Sequence, residues 1–389
     1  MKILIVRMWP YTLNIKSYNC QEIGLAKALI RKGNMCDIVL YTDKECDDED
    51  IIFDDNRKIH VYYLRAKNIL KNAVFENRLY DIVKNYDVIQ TTEYDQIGNV
   101  KLRKKVKNRM VIYHGPYSCE YTKGYKKKCI FSDLYYILNK DYKNTPCLSK
   151  SILATDLLKK KGFKRITTVG VGLDTARFNN ETKNNKDIEN LITEKEKNNY
   201  QYLLYIGKIE DRRNIMFLID ILKNICEKKS NIKLIMVGKG EKDYIEKCFN
   251  YAKNIGVYDN IIYFESMKQE ELPNLYKCCD LFLLPTQYEI FGMVLLEAMY
   301  FGLPVITTLN GGSSTLIKNN ETGMICSLNN VKEWEDAIFN ILNDKNLKNT
   351  ISNNCIKQIN ENYTWDKLAD KFLKVYKEGV NLGDKNAGK

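Results

Sequence analysis

Two histidines, no CxxC spacing and no apolar run long enough to cross a bilayer define this sequence first by what it excludes. His60 and His114 are the only imidazoles, and the twelve cysteines are scattered, so a zinc centre lacks its usual ligand spacing. The one adjacent pair, Cys278 and Cys279, sits in a helical stretch ahead of the apolar DLFLL, and reduced, mostly buried thiols are expected. A transmembrane helix needs roughly 18 consecutive apolar residues or more, and none occurs. The N-terminal MKILIVRMWPYTL has neither the apolar core nor the cleavage site of a signal peptide and reads as a strand, giving an expected cytoplasmic location.

What is present is a globular composition, 44% hydrophobic and 28% charged over 389 residues, enough for two cores of similar size. Lysine plus arginine number 61 against 49 acids, a net charge of +12 that attracts anionic partners.

Along the chain, short apolar strands alternate with amphipathic helices. KILIV is followed by QEIGLAKALIRKG, where Ile23, Ala26, Leu29 and Ile30 fall at helical spacing and Gly33 can close the helix. CDIVLYT, IHVYYLR, DVIQTT, RMVIYHG and RITTVGVG continue the strands. After the polar stretch 179–200 the alternation restarts with YLLYIG, KLIMVG, IIYFE, LFLLP and PVITT. Buried strands alternating with helices predict α/β architecture, two Rossmann-like doubly wound domains with ligands at the carboxyl ends of the strands. Residues 1–178 are expected to form the first domain, 179–200 a linker with room for a short exposed helix, 201–362 the second domain, and 381–389 a disordered tail. In YTWDKLADKFLKVYKEGV, Trp365, Leu368, Ala369, Phe372 and Tyr376 share one helical face.

The polar residues of interest gather where strands end. In EIFGMVLLEAMYF, Glu289 and Glu297 stand seven residues apart around Phe291, Gly292 and Met293, whose amides open a helix. Unpaired amides at a positive helix end suit a phosphate, and flanking carboxylates can accept hydrogen bonds from sugar hydroxyls. The plainer alternative makes Glu289 a first-turn acid and Glu297 a solvated helix residue. In YIGKIEDRRN, Gly207 ends a strand, and Lys208, Arg212 and Arg213 follow in one loop, able to neutralise a diphosphate or simply solvated. His114 leaves strand VIYHG ahead of a Gly-Pro turn, either facing a ligand or satisfied locally. Gly238-Lys239-Gly240 is a weak phosphate signal. Asp48-Glu49-Asp50 matches a metal-binding DxD element but lies in an acidic run far from these motifs and reads as solvated surface.

The run PTQYEIFGMVLLEAMYFGLPVITTLNGG resembles the signature of family 4 retaining glycosyltransferases, through its EX7E pair, Phe-Gly, Glu-Ala-Met and Gly-x-Pro-Val. GKIEDRRN resembles that family's cation loop, and VGVGLDTARF its Gly-Val-Asp-x-x-x-Phe segment through Gly172, Asp174 and Phe178. The resemblance implies the GT-B fold, with the last helix (363–380) crossing back to the N-terminal, acceptor-binding domain. It further implies that Glu289 contacts the donor sugar, helped by the amides of Phe291, Gly292 and Met293, and that Glu297 binds ribose hydroxyls. Lys208 and Arg213, beside Gly207, would hold the diphosphate. His114 would face the sugar and acceptor, with Ser266 and Met267 beside the base. The reaction so implied is hexosyl transfer from a nucleotide-diphosphate sugar, uridine-linked, to a glycan or lipid-linked acceptor, needing no metal or other cofactor. Three departures stand out: the lysine and arginine of the cation loop are exchanged in order, the N-terminal loop reads YTLNIKSYN where a glycine pair is usual, and Thr315 replaces a common glutamate.

KLRKKVKNR (101–109) and KGYKKKCIFSDLYYI (123–137) are basic, the second interleaved with apolar residues, and are expected to reach an anionic membrane surface or to be solvated. Rival readings are a nucleic-acid binder, for which no recognition motif is present, a glycoside hydrolase using two carboxylates, and a silent relative that only binds donors.

Overall fold

The computed structural model describes the chain apart from residues 16–19, 55, 70–71, 76, 121–124, 138, 179–184 and 387–389, and gives the backbone alone for 135, 177 and 380–386. It divides into two units, Met1–Gly172 with Tyr363–Lys389, and Leu173–Asn362. Among the described residues no helix is long and apolar enough to cross a membrane.

The first unit is built on strands β1 (Lys2–Val6), β2 (Met35–Tyr41), β3 (Glu49–Phe53), β4 (Arg57–Leu64), a separate hairpin of β5 (Ala66–Ile69) and β6 (Asn72–Phe75), then β7 (Val88–Thr92), β8 (Met110–His114), β9 (Cys147–Ser149) and β10 (Ile166–Thr168). The large sheet has the order β10-β9-β8-β7-β1-β2-β4-β3 and is parallel except for β3 against β4. Ile3, Leu4, Ile5 and Val6 are all fully buried, as a strand covered on both faces requires. The order reverses between β1 and β7, which makes their carboxyl ends a topological switch point.

The second unit has strands β11 (Gln201–Ile206), β12 (Ile232–Val237), β13 (Ile261–Phe264), β14 (Leu281–Leu284), β15 (Val305–Thr307) and β16 (Met324–Ile325), in the parallel order β13-β12-β11-β14-β15-β16. Its switch point lies between β11 and β14.

The helix Trp365–Asn386 completes the first unit. Trp365 fills a slot between two glycines: a Cβ on Gly24 would lie 2.2 Å from the indole Nε1, and one on Gly172 2.4 Å from Cδ2. Phe372 meets the Tyr113 ring edge-on at 5.2 Å, and the Tyr376 hydroxyl donates to Gln90 at 2.5 Å. All five residues predicted to share the apolar face are buried.

Three boundary expectations are corrected. The first unit ends at Gly172 and not at 178, because Phe178 stacks on Tyr300 at 5.6 Å and meets Phe301 at 5.1 Å, both in the second unit. Of the expected linker, 179–184 lie outside the described residues, while Lys186–Asn198 is a helix of the second unit with Ile188 and Leu191 buried. Its charged face hid a sparse apolar stripe. The tail predicted to be disordered is helical through Asn386, with 387–389 outside the described residues. The acidic run after β2 keeps Glu49 and Asp50 exposed, as a solvated surface should, but pairs as edge strand β3, with Asp50 bonded to His60 at 2.6 Å and Lys58 at 3.0 Å, and Asp48 paired with Arg78.

The Lys186–Asn198 helix is tied down by Asp280, just before β14. That carboxylate meets Lys195 at 2.8 Å and Lys348 at 2.7 Å, and accepts from the Tyr202 amide at 2.8 Å. Burial alone would raise its pKa, but the two ammonium groups outweigh burial and hold it below the ordinary aspartate value. A carboxyl whose folded pKa is depressed contributes stability above its unfolded value, and loses it as pH falls through the folded one. Asp280→Asn is therefore expected to cost about 1–3 kcal/mol at neutral pH. The difference from wild type should shrink in urea titrations as pH falls below the ordinary aspartate range.

Candidate active site

At the second unit's switch point, β11 ends at Gly207 and β14 at Pro285, and the two following loops converge. Asn214, at φ 53°, donates from its amide to the Pro285 carbonyl at 2.8 Å, and the Gln287 backbone amide donates to the Arg212 carbonyl at 3.0 Å. Arg212 donates to the Tyr288 carbonyl and pairs with Glu210 at 2.6 Å. These bonds fix the cation loop against the acidic loop.

The result is a direct ion pair between two predicted residues, Arg213 Nη1 and Glu289 Oε2, at 2.6 Å, with side chains only 13% and 18% exposed. Arg213 also lies 3.4 Å from Thr286 Oγ1, while its buried Nε, without a hydrogen bond among the described residues, lies 3.9 Å from Glu210 Oε1. Lys208 is exposed, and its carbonyl is held by the Tyr205 hydroxyl at 2.7 Å.

Beside them, Phe291 and Gly292 lead into helix Met293–Tyr300. Gly292 has φ +78°, a left-handed conformation that glycine adopts without a Cβ penalty. Phe291 is buried and Met293 half-buried. Glu297, one turn on, is 2% exposed and accepts from the Tyr276 hydroxyl at 2.9 Å, so it is not the solvated helix residue of the plainer reading. Ser266 is exposed and Met267 half-buried after edge strand β13, two strands from the switch point, and they are not brought to the Arg213–Glu289 pair.

Two glycine pairs serve packing. A Cβ on Gly238 would lie 1.7 Å from the Gly207 carbonyl oxygen, and one on Gly240 2.1 Å from that of Ile209. The Gly238-Lys239-Gly240 phosphate signal is thus explained by room for the cation loop. Gly311 and Gly312 do the same for the carbonyls of Ile290 and Phe291, at 1.9 and 1.7 Å.

In the first unit, His114 ends β8 and is fully buried. Its Nδ1 lies 2.6 Å from Glu93 Oε2, and Nε2 has no hydrogen-bond partner among the described residues. Glu93 follows β7 at φ 54° and also accepts from the Gly115 amide at 3.0 Å. Burial would raise the Glu93 pKa, but the His114 bond, the charges of His114 and Lys150 and that amide together hold it below the ordinary value. Sequence reasoning missed Glu93, Asp95 and Lys128. The signal was the polar TTEYDQ directly after an apolar strand.

Glu93, Asp95 and His114 present donor atoms within 4.8 Å of one another, a set that fits a divalent ion in kind. Lys128 Nζ already sits 2.9 Å from Asp95 Oδ2 and 4.5 Å from the centre of the Trp9 ring, and His114 Nδ1 lies against Glu93. In this structure the Lys128 ammonium and the His114 ring are the partners of those two carboxylates. Of the predicted loop YTLNIKSYN, residues 16–19 lie outside the described residues.

Residues 184–358 match the family Glycosyl transferases group 1. An uncharacterized glycosyltransferase of Methanocaldococcus jannaschii is 31% identical over 182 residues, 46% of this chain and 45% of that protein, so the chain spans about half the length of that relative. A UDP-Gal:α-D-GlcNAc-diphosphoundecaprenol α-1,3-galactosyltransferase of Escherichia coli is 24% identical over 386 residues, 96% of each chain. Among solved structures, Anabaena HepE in complex with UDP aligns with a TM-score of 0.74 and 16% identity, over 97% of this chain and 100% of that one. That likeness shows the fold, two Rossmann-like units of the GT-B class.

Proposed function

We infer that this glycosyltransferase of the GT-B fold moves a hexose or N-acetylhexosamine from a UDP-linked sugar to a glycan or lipid-linked acceptor in cell-surface polysaccharide synthesis, with retention of configuration and without a metal. The observation that carries the reading is the Arg213–Glu289 pair at the switch point, where a largely buried guanidinium lies next to a carboxylate and a helix end. The E. coli relative, similar along 96% of the chain, acts on a diphosphoundecaprenol-linked sugar by name and supports the acceptor class.

Breaking the anomeric C–O bond to phosphate leaves negative charge on the diphosphate and an oxocarbenium-like sugar. Arg213 and Lys208 neutralise that charge as it develops, together with the amides opening helix Met293–Tyr300. Glu289 accepts from donor sugar hydroxyls while orienting Arg213, and Glu297 accepts from the ribose with Tyr276 fixing its rotamer. Ser266 and Met267 flank the base. Attack from the face the diphosphate leaves preserves configuration: the acceptor oxygen bonds to the anomeric carbon as the phosphate oxygen departs, and the acceptor's proton passes to that oxygen. His114, held beside Glu93, is proposed to serve the acceptor from within the first unit. The protein works at the cytoplasmic side.

The test is calorimetry with UDP, GDP and ADP and their sugar conjugates, on wild type and Glu297→Gln, followed by NMR of the product. UDP-sugar binding weakened in the variant, an α product from an α donor and indifference to EDTA are expected. A product of inverted configuration sinks the mechanism, and absence of any nucleotide binding sinks the donor assignment. Binding without transfer to any acceptor would instead favour a silent sugar-nucleotide-binding protein.

A further inference from the structure

Helix Tyr125–Ile137 is apolar on two sides, where packing accounts for one. Tyr125, Lys128, Cys129, Ser132 and Tyr136 are buried, at the spacing of a single core-facing stripe. On the opposite side Ile130, Phe131, Leu134 and Ile137 are exposed by 53, 47, 59 and 57%. At 3.6 residues per turn Ile130, Leu134 and Ile137 fall within an arc of roughly 60°, with Lys126 and Lys127 at its margins. A helix exposing such a stripe of large side chains to water forgoes the burial that those side chains would gain elsewhere.

The stripe continues into a basic groove. Ile137 lines an open groove of about 960 Å³ together with Arg103, Lys104, Lys107, Lys140, Lys164 and Arg165. Two acids bear on this face. Asp133 is paired with Lys161, and Asp141, also in the groove, stands among the cations. Lys128, although part of the KKK run, belongs to the interior through its pair with Asp95 and contributes nothing to this surface.

We propose that this helix and groove dock the first unit on an anionic lipid bilayer, with Ile130, Phe131, Leu134 and Ile137 entering the acyl boundary and the surrounding lysines and arginines meeting phosphate headgroups. Large apolar side chains flanked by lysine are what an interfacial helix presents, and a groove lined by six cations is complementary to anionic headgroups. A nucleic acid would use the cations and leave the apolar stripe exposed. The surface lies wholly within the first unit and needs nothing from the donor site.

Flotation of the full chain with vesicles tests it, comparing phosphatidylcholine alone with mixtures holding about one third phosphatidylglycerol. Wild type is expected to float with the anionic vesicles, to ignore the neutral ones, and to be released in about 0.5 M salt, where the Debye length falls to roughly 4 Å. Each lysine near such a surface contributes roughly fivefold to partitioning, so Lys126→Glu with Lys127→Glu should lower it by more than about twentyfold. Phe131→Ser with Leu134→Ser should lower it at unchanged net charge. Lys104→Glu with Lys107→Glu, on a different element, provides a second reading should either pair melt earlier than wild type. Flotation of all these variants equal to wild type, failure of wild type to float, or DNA retention that vesicles do not displace would each overturn the proposal. A chain that transfers sugar to a soluble acceptor but never floats overturns the docking surface alone. A chain that floats but binds no sugar nucleotide overturns only the transferase reading.

Discussion

Arg213→Ala is expected to lower kcat/KM by a factor of roughly 10²–10³, the loss seen when one preorganised partner of a developing anion is removed. The effect should fall mainly on kcat, because charge on the departing diphosphate is largest in the transition state. Arg213→Lys should recover part of it, since an ammonium supplies charge without the planar fork that reaches both Glu289 and Glu210. The sharper measurement is the cycle with Glu289→Gln. Because the two side chains pair directly at 2.6 Å, either single change disturbs both, and the double variant should lose much less than the product of the single losses. Strict multiplicativity in steady-state kinetics would show that the pair does not act as a unit. Arg213→Ala at wild-type rate would remove the cation from the mechanism.

The second large effect is on stability. Lys128→Met should destabilise the first unit by about 3–5 kcal/mol, because it strands Asp95, fully buried, without its ion-pair partner. Methionine keeps most of the aliphatic contact with the Trp9 ring, so the loss reports the charge and not the volume. Replacing Asp95 by asparagine in the same chain should restore most of the difference, as neutralising both members of a buried pair usually does. Chemical denaturation followed by tryptophan fluorescence reads it, since Trp9 lies against the ammonium. No change in midpoint would mean that the pair is solvated in solution. The same residue warns against reversing Lys126, Lys127 and Lys128 together to probe membrane binding, because one of the three would unfold the unit under test.

Much of this was written in local sequence. Strand ends were legible because buried parallel strands are continuous apolar runs, and the polar residues following them mark carboxyl ends. That reasoning located Lys208, Arg213, Glu289 and Glu297 on the correct elements, and the last helix was legible from its 3.6-residue period. The pairing of Arg213 with Glu289 was not, because it depends on β11 and β14 becoming neighbours across an intervening 74 residues, a fact of topology. Glu93 escaped for a similar reason: its meaning comes from β7 lying beside β8, which sets its carboxylate against His114. Gly238 and Gly312 were read as phosphate signals or family marks, whereas what they leave room for is a carbonyl of another loop. The hairpin β5–β6 and strand β3 went unread because each strand is only four or five residues long. The charged helix Lys186–Asn198 passed for a linker because two buried side chains and one lysine to Asp280 suffice to anchor it.

The interrupted first unit also orders events during synthesis. Strands β1 to β10 leave the ribosome first, yet the Gly24–Gly172 slot and Gln90 lack Trp365 and Tyr376 until about 190 further residues have been made. At 5–20 residues per second that delay is roughly ten to forty seconds. The second unit, contiguous from Leu173 to Asn362, can close its core within the same interval. The half that begins first is therefore completed last, and a nascent chain released before Trp365 carries one finished unit and one open sheet, a substrate for chaperones and proteases until the final helix is delivered.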